Sequence, residues 1–153
     1  MEKLNLKKKL IELCKNELNQ KIAMYEKAMQ DEQNTANQYK GIMESRHSTF
    51  KEEAQDRKNA FAMRIEMLMK QLSALISIKQ DVIYNKPEFG AVVELENDSY
   101  FISFFIFEES VTLEGKEFIT LSKDSPLGFE FKNKTKGDIF NFNGKTFKIT
   151  DIY

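Results

Sequence analysis

With 153 residues and 23 Lys/Arg against 24 Asp/Glu, the chain has a formal net charge of −1, and it holds one cysteine and one histidine. Those counts exclude an internal disulfide and the usual structural zinc site, which is built from several Cys and His ligands. No run reaches the roughly 18 apolar residues that a membrane span needs, and no stretch has the dense Lys/Arg face that free nucleic acid calls for.

The chain opens "MEKLNLKKKLIELCKNEL". Acidic residues sit among its apolar ones, so it reads as an amphipathic helix rather than a secretory leader, and a complete cytoplasmic protein is expected. From Met1 to Tyr84 there is no proline and one glycine, Gly41, whereas both prolines and the other five glycines lie between Pro87 and Gly144. That shift predicts a helical part, 1–84, followed by a separate domain, 85–153. The helical part carries 15 Lys/Arg and 12 Asp/Glu, and the second part 8 and 12.

Apolar or small residues recur every three or four positions at Ile11, Cys14, Leu18, Ile22, Tyr25, Met29, Ala36, Tyr39 and Met43, interrupted at Glu32. A second stripe runs Phe50, Ala54, Phe61, Ile65, Leu68, Leu72 and Leu75, interrupted at Arg57. Each is the narrow seam of a helix that packs against one partner. Two such seams in one chain predict an antiparallel coiled-coil hairpin, a rod of about 50 Å at 1.5 Å per residue. Its tip is expected near 41–49, bending near Arg46 with Ser48 or Thr49 capping the return helix. A bend at "NQYKG", 37–41, competes with it because glycine is the stronger local stop. A parallel dimer of unbent rods is the other arrangement that the stripes permit.

Past Asn85 the period changes to two. "FGAVVELE" (89–96), "SYFISFFIF" (99–107), "KEFITLS" (116–122), "DIFNF" (138–142) and "KTFKITDIY" (145–153) read as strands of an antiparallel sheet, the last two joined by the Asn143-Gly144 hairpin turn. The second is apolar on both faces and is expected to be central, covered by the segment Ser125 to Lys136. "SPLGFEF" supplies either one helical turn or only the exit from a strand. The phenylalanines are expected to be core. No glycine-rich phosphate loop, catalytic triad or metal cluster is visible, so a self-contained enzyme is not expected.

Helical hairpin, then small sheet, then Ile119-Thr120, Asp124-Ser125-Pro126, Gly137-Asp138, Ile149, Ile152 and Tyr153: this succession resembles the Gre-type bacterial transcription elongation, or transcript cleavage, factors, and in particular a divergent group from Bacteroidetes-type bacteria. The architecture is matched over nearly the whole chain and the motifs over its last part. The resemblance implies an α+β protein whose FKBP-like C-terminal domain, with a short helix, docks on the rim of the RNA polymerase secondary channel through Asp124, Ser125 and Pro126. It also implies that the coiled coil enters the channel. There the tip helps hold a Mg²⁺ ion at the polymerase active site, so that the polymerase hydrolyses the 3′ end of backtracked RNA.

The implied partner is thus RNA polymerase, with the nascent RNA met only indirectly, no membrane, and the factor acting as an accessory monomer. A second Mg²⁺ in a two-metal site takes hard oxygen ligands and keeps several waters, so one or two carboxylates suffice. Here the tip departs from the family's acidic pair. Glu44 stands at the aspartate position and is the metal-orienting candidate, His47 replaces the glutamate, and Glu52 and Glu53 come later. Arg46 and His47 are candidate tip contacts. "SKD" before Ser125 is an insertion. The ordinary alternatives are a solvated loop carboxylate for Glu44, a hydrated surface imidazole for His47, an Arg46 that only balances Glu44, and a small seam residue for Cys14. The functional alternatives are a Gre-like channel regulator without cleavage stimulation, a peptidyl-prolyl isomerase or peptide-binding protein of FKBP type, and a coiled-coil adaptor.

Overall fold

The computed structural model describes the backbone of residues 1–38 and 44–153, and the side chains of residues 1–38 and 49–153. Two long helices come first, α1 (Glu2–Gln38) and α2 (Glu44–Ile76). They are followed by β1 (Val92–Glu94), β2 (Ser99–Ser103), β3 (Val111–Leu113), β4 (Lys116–Ser122), α3 (Pro126–Phe131), β5 (Ile139–Phe142), β6 (Lys145–Lys148) and β7 (Asp151–Ile152). The protein is therefore α+β. α2 already takes in Arg46, Ser48 and Thr49, so the bend expected near Arg46 is corrected: no glycine or proline interrupts "ESRHSTFKEEAQ", and the helix continues through it. The competing bend at 37–41 and the seam residues Tyr39 and Met43 run into the segment outside the described residues.

The chain divides into two compact units, Leu18–Ser73 and Met1–Glu17 with Ala74–Tyr153. In the first, α1 and α2 are paired antiparallel. Tyr25 meets Phe61 with ring centroids 5.9 Å apart, and Arg64 Nη1 donates to the Tyr25 hydroxyl at 3.3 Å. Further along α1, Lys58 Nζ donates to Gln33 Oε1 at 2.6 Å, and Arg57 Nε lies 2.8 Å from Glu32 Oε1. Glu32 and Arg57, the two residues that interrupt the stripes, thus meet each other. Leu18, Ile22, Ala54 and Leu68 form the buried seam.

In the second unit, a five-stranded sheet has the order β3-β4-β2-β1-β7, and β5 and β6 form a separate hairpin. β2 is central, as its two apolar faces predict, and all five of its residues are buried. The sheet is mixed where an antiparallel one is expected, because β2 and β4 run parallel, Ser99 beside Phe118 through Ser103 beside Ser122. The chain between them crosses over instead of turning back, which is what a parallel pair requires. That crossover, 104–115, is held by the buried Thr120 hydroxyl, which accepts from the Ile106 and Phe107 amides at 3.3 and 3.2 Å. It also contains β3, which pairs antiparallel with β4 through a Glu114-Gly115 turn whose residues have φ 52° and 78°.

One face of the sheet packs Val93, Tyr100, Ile102 and Leu121 against Phe131 of α3 and Phe140 of β5. Phe131 meets both Tyr100 and Phe140 edge-on, with centroids 5.7 Å apart in each case. The opposite face carries Val92, Phe101 and Phe118, each at most 1% exposed. "KTFKITDIY" is shared between the sheets: β6 pairs with β5 across Asn143-Gly144 (φ 50° and 76°), and β7 pairs with β1.

Candidate docking site

The Asp124-Ser125-Pro126 turn is built by its own backbone. Ser125 is extended (φ −67°, ψ 158°) and caps α3: its hydroxyl accepts from the Gly128 amide at 3.1 Å and donates to the Ser122 carbonyl at 2.6 Å. The Ser122 hydroxyl in turn accepts from the Asp124 amide at 3.1 Å. Pro126 occupies the first helical turn, where its missing N–H costs nothing. A Cβ on Gly128 would lie 2.3 Å from the Ser122 carbonyl oxygen, so only glycine lets the helix approach this closely. As a result the Ser125 hydroxyl is used within the turn, while Asp124 and Pro126 face solvent.

Beside this turn lies an open groove of about 880 Å³. Its walls include Val82, Ile83, Tyr84, Asp124, Phe129 and Lys132. Phe129 is 65% exposed and Ile83 55%, the two large apolar side chains that the groove leaves to solvent most fully. The groove adjoins a recess of about 350 Å³ that shares Pro87, Glu88 and Lys132 with it. Phe101, Phe118, Phe131 and Phe140 are core as expected, but Phe105 is exposed, and so is Phe129 of the groove. Its signal in the sequence was its place on α3, since a six-residue helix that buries Gly128 and Phe131 turns Phe129 outward.

The 82–84 wall is tethered from behind by Lys7, a residue with no motif to mark it. Lys7 is fully buried, its ammonium donates to the Val82 carbonyl at 3.2 Å, and it lies 3.8 Å from the centre of the Tyr84 ring. Burial pushes its pKa down to about 8, partly opposed by the Glu88 carboxylate. In the same unit Lys3 bonds Asp151, which Lys136 also approaches at 3.4 Å. Burial works to raise the Asp151 pKa, and the Lys3 contact outweighs it and holds the carboxyl below its usual range. Cys14 is buried and its thiol is pushed up to about 12 by desolvation, so it stays protonated.

The Glu44, Arg46 and His47 side chains lie outside the described residues. Among the described residues no group of three or more His, Cys, Asp and Glu is placed to hold a metal ion, and no helix is long and apolar enough to cross a membrane.

A long antiparallel helical hairpin followed by a mixed sheet with one short capped helix defines the class of protein. Among solved structures, that of GreA factor homolog 1 (Gfh1) of Thermus thermophilus is similar, with 18% identity, a TM-score of 0.36, and coverage of 91% of this chain and 94% of that one. A second structure, of the transcription factor Gfh1, gives 19% identity and the same TM-score over 91% and 92% of the two chains. No family model and no curated protein matches the chain.

Proposed function

We propose that this protein is a cytoplasmic RNA polymerase secondary-channel factor of Gre type, an accessory monomer with no catalytic centre of its own. The observation that carries the reading is the Asp124-Ser125-Pro126 turn. The residues matching the family's docking motif form a rigid, capped corner with Asp124 and Pro126 exposed beside an open groove. The division of labour follows: the sheet unit anchors, and the paired helices carry Glu44, Arg46 and His47 to the polymerase active site.

In this reading the factor rescues backtracked complexes. Mg²⁺ held jointly with the polymerase would supply the nucleophilic water for RNA hydrolysis, and Glu44 would orient that ion as a hard carboxylate ligand. With one carboxylate where the family has two, the factor is expected to stimulate cleavage weakly, and channel regulation without cleavage is the second outcome.

Co-elution of the full chain with its cognate core polymerase tests the reading. Wild type is expected to bind stoichiometrically, and Asp124→Ala/Phe129→Ala to lose binding while melting as wild type does. No co-elution of the wild type at micromolar concentration refutes it. Transcript cleavage in stalled complexes with Glu44→Ala then decides whether Glu44 acts on the metal, since a wild-type rate in the variant rejects that role.

A further inference from the structure

The groove is charged against the trend of the segment that builds most of it. Residues 85–153 hold 8 Lys/Arg and 12 Asp/Glu. Yet the groove and its adjoining recess are lined by Lys79, Lys86, Lys123, Lys132 and Lys134, with only Glu88 and Asp124 opposing them. Among the described residues none of these five ammonium groups forms an ion pair, as is also true of Lys8, Lys145 and Lys148; Lys132 lies 5.8 Å from the centre of the Phe129 ring and Lys134 5.7 Å from that of Phe140. Between the unpaired lysines lie Val82, Ile83 and Phe129, exposed by 39%, 55% and 65%. Like charges gathered around an apolar patch repel one another, and the arrangement becomes favourable when a partner brings the opposite charge and covers the patch.

We propose that this groove receives an acidic segment of RNA polymerase that presents an apolar side chain. The carboxylates of that segment meet Lys123 and Lys132, and its apolar side chain covers Ile83 and Phe129. The inference rests on the polymerase reading above and adds the chemistry of the contact. Single-stranded nucleic acid, which would stack on Phe129, is the competing occupant that the oligonucleotide below tests; Val82 and Ile83 beside that ring favour an apolar side chain over a base.

The test uses the full chain and a fluorescein-labelled, glutamate-rich peptide with one leucine per helical turn, read by anisotropy at low and high salt. Binding that weakens with salt is expected. The variant Lys123→Glu/Lys132→Glu should lose about tenfold or more in affinity, and Lys123→Gln/Lys132→Gln should lose less in the same direction. All four changes fall on exposed positions, so melting temperatures should not move. A lysine-for-glutamate peptide and a single-stranded oligonucleotide should bind far more weakly. The inference is overturned if the glutamate peptide does not bind, if charge reversal leaves its affinity unchanged, or if the oligonucleotide binds at least as tightly. Polymerase co-elution separates the two claims. Should wild type and the charge-reversed variant bind polymerase equally, the inference falls and the polymerase reading stands. Should wild type not bind polymerase, both fall.

Discussion

Replacing Lys7 by methionine removes the buried ammonium and keeps an unbranched side chain of similar length. In the folded protein Lys7 has its pKa lowered from 10.5 to about 8. Below the folded pKa the lysine is charged in both states, so the folded state bears the full penalty, about 3 kcal/mol at one pKa unit per 1.4 kcal/mol. Between about 8 and 10.5 the unfolded chain binds more protons than the folded one. The stability of the wild type therefore rises with pH across that window. Integrated from about pH 7 to about pH 9.5, the gain is about 2 kcal/mol, and the methionine variant lacks it. The Tyr100 and Tyr153 hydroxyls, both raised above their ordinary values chiefly by burial, titrate alike in the two proteins and cancel in the difference. Urea unfolding of both proteins, followed by circular dichroism at a series of pH values, gives that difference directly. Lys7→Met should be the more stable below pH 8, with the advantage shrinking as pH rises. A difference independent of pH would show that Lys7 titrates normally and that the bonds to Val82 and Tyr84 fully compensate its burial.

Ser125→Ala removes the cap on the Gly128 amide and the donor to the Ser122 carbonyl, and is expected to cost about 1–2 kcal/mol in urea unfolding. Gly128→Ala forces a Cβ onto the Ser122 carbonyl oxygen. It should cost about 1–3 kcal/mol and shift the amide resonances of α3 and Phe131, and a wild-type spectrum would refute the close approach. Cys14, buried and protonated, should resist a disulfide reagent in the native protein and react fully in urea, so rapid native labelling would contradict its burial.

Much of the architecture was legible from periodicity. The change from period 3.6 to period 2 separated helices from strands, β4 occupies the residues 116–122 read for it, and Asn143-Gly144 makes the turn its residue types demand. Elements whose cause is non-local were not legible. β3 was missed because its turn is Glu114-Gly115, and glutamate is not a residue that advertises a positive φ. The parallel pairing of β2 with β4 is decided by the path of the crossover, which no strand pattern encodes. Glu32 and Arg57 looked like two separate flaws in two stripes, and only the antiparallel register shows that they form one ion pair. Of the candidate site, Asp124-Ser125-Pro126 was found by resemblance, and the structure gives its residues different tasks. Ser125 builds the corner, and the exposed Asp124 and Pro126 present it. Ile83 and Phe129 carried no motif, and Lys7 looked like any other lysine in a run of charges until its partners at Val82 and Tyr84 were placed.

The sheet unit draws its residues from both sides of the Leu18–Ser73 hairpin, and this imposes an order on its birth. Lys3 is bonded to Asp151, 148 residues later. At 5–20 residues per second, a ribosome needs roughly 7–30 s between making the first and the second. Through that interval the opening turns of α1 have no sheet to rest on, and Lys7 keeps its water and its proton. The hairpin, whose contacts all lie closer in sequence, can zip first. It would then bring Met1–Glu17 back beside Ala74 before the strands appear, so the last part to fold is assembled on a template left by the first.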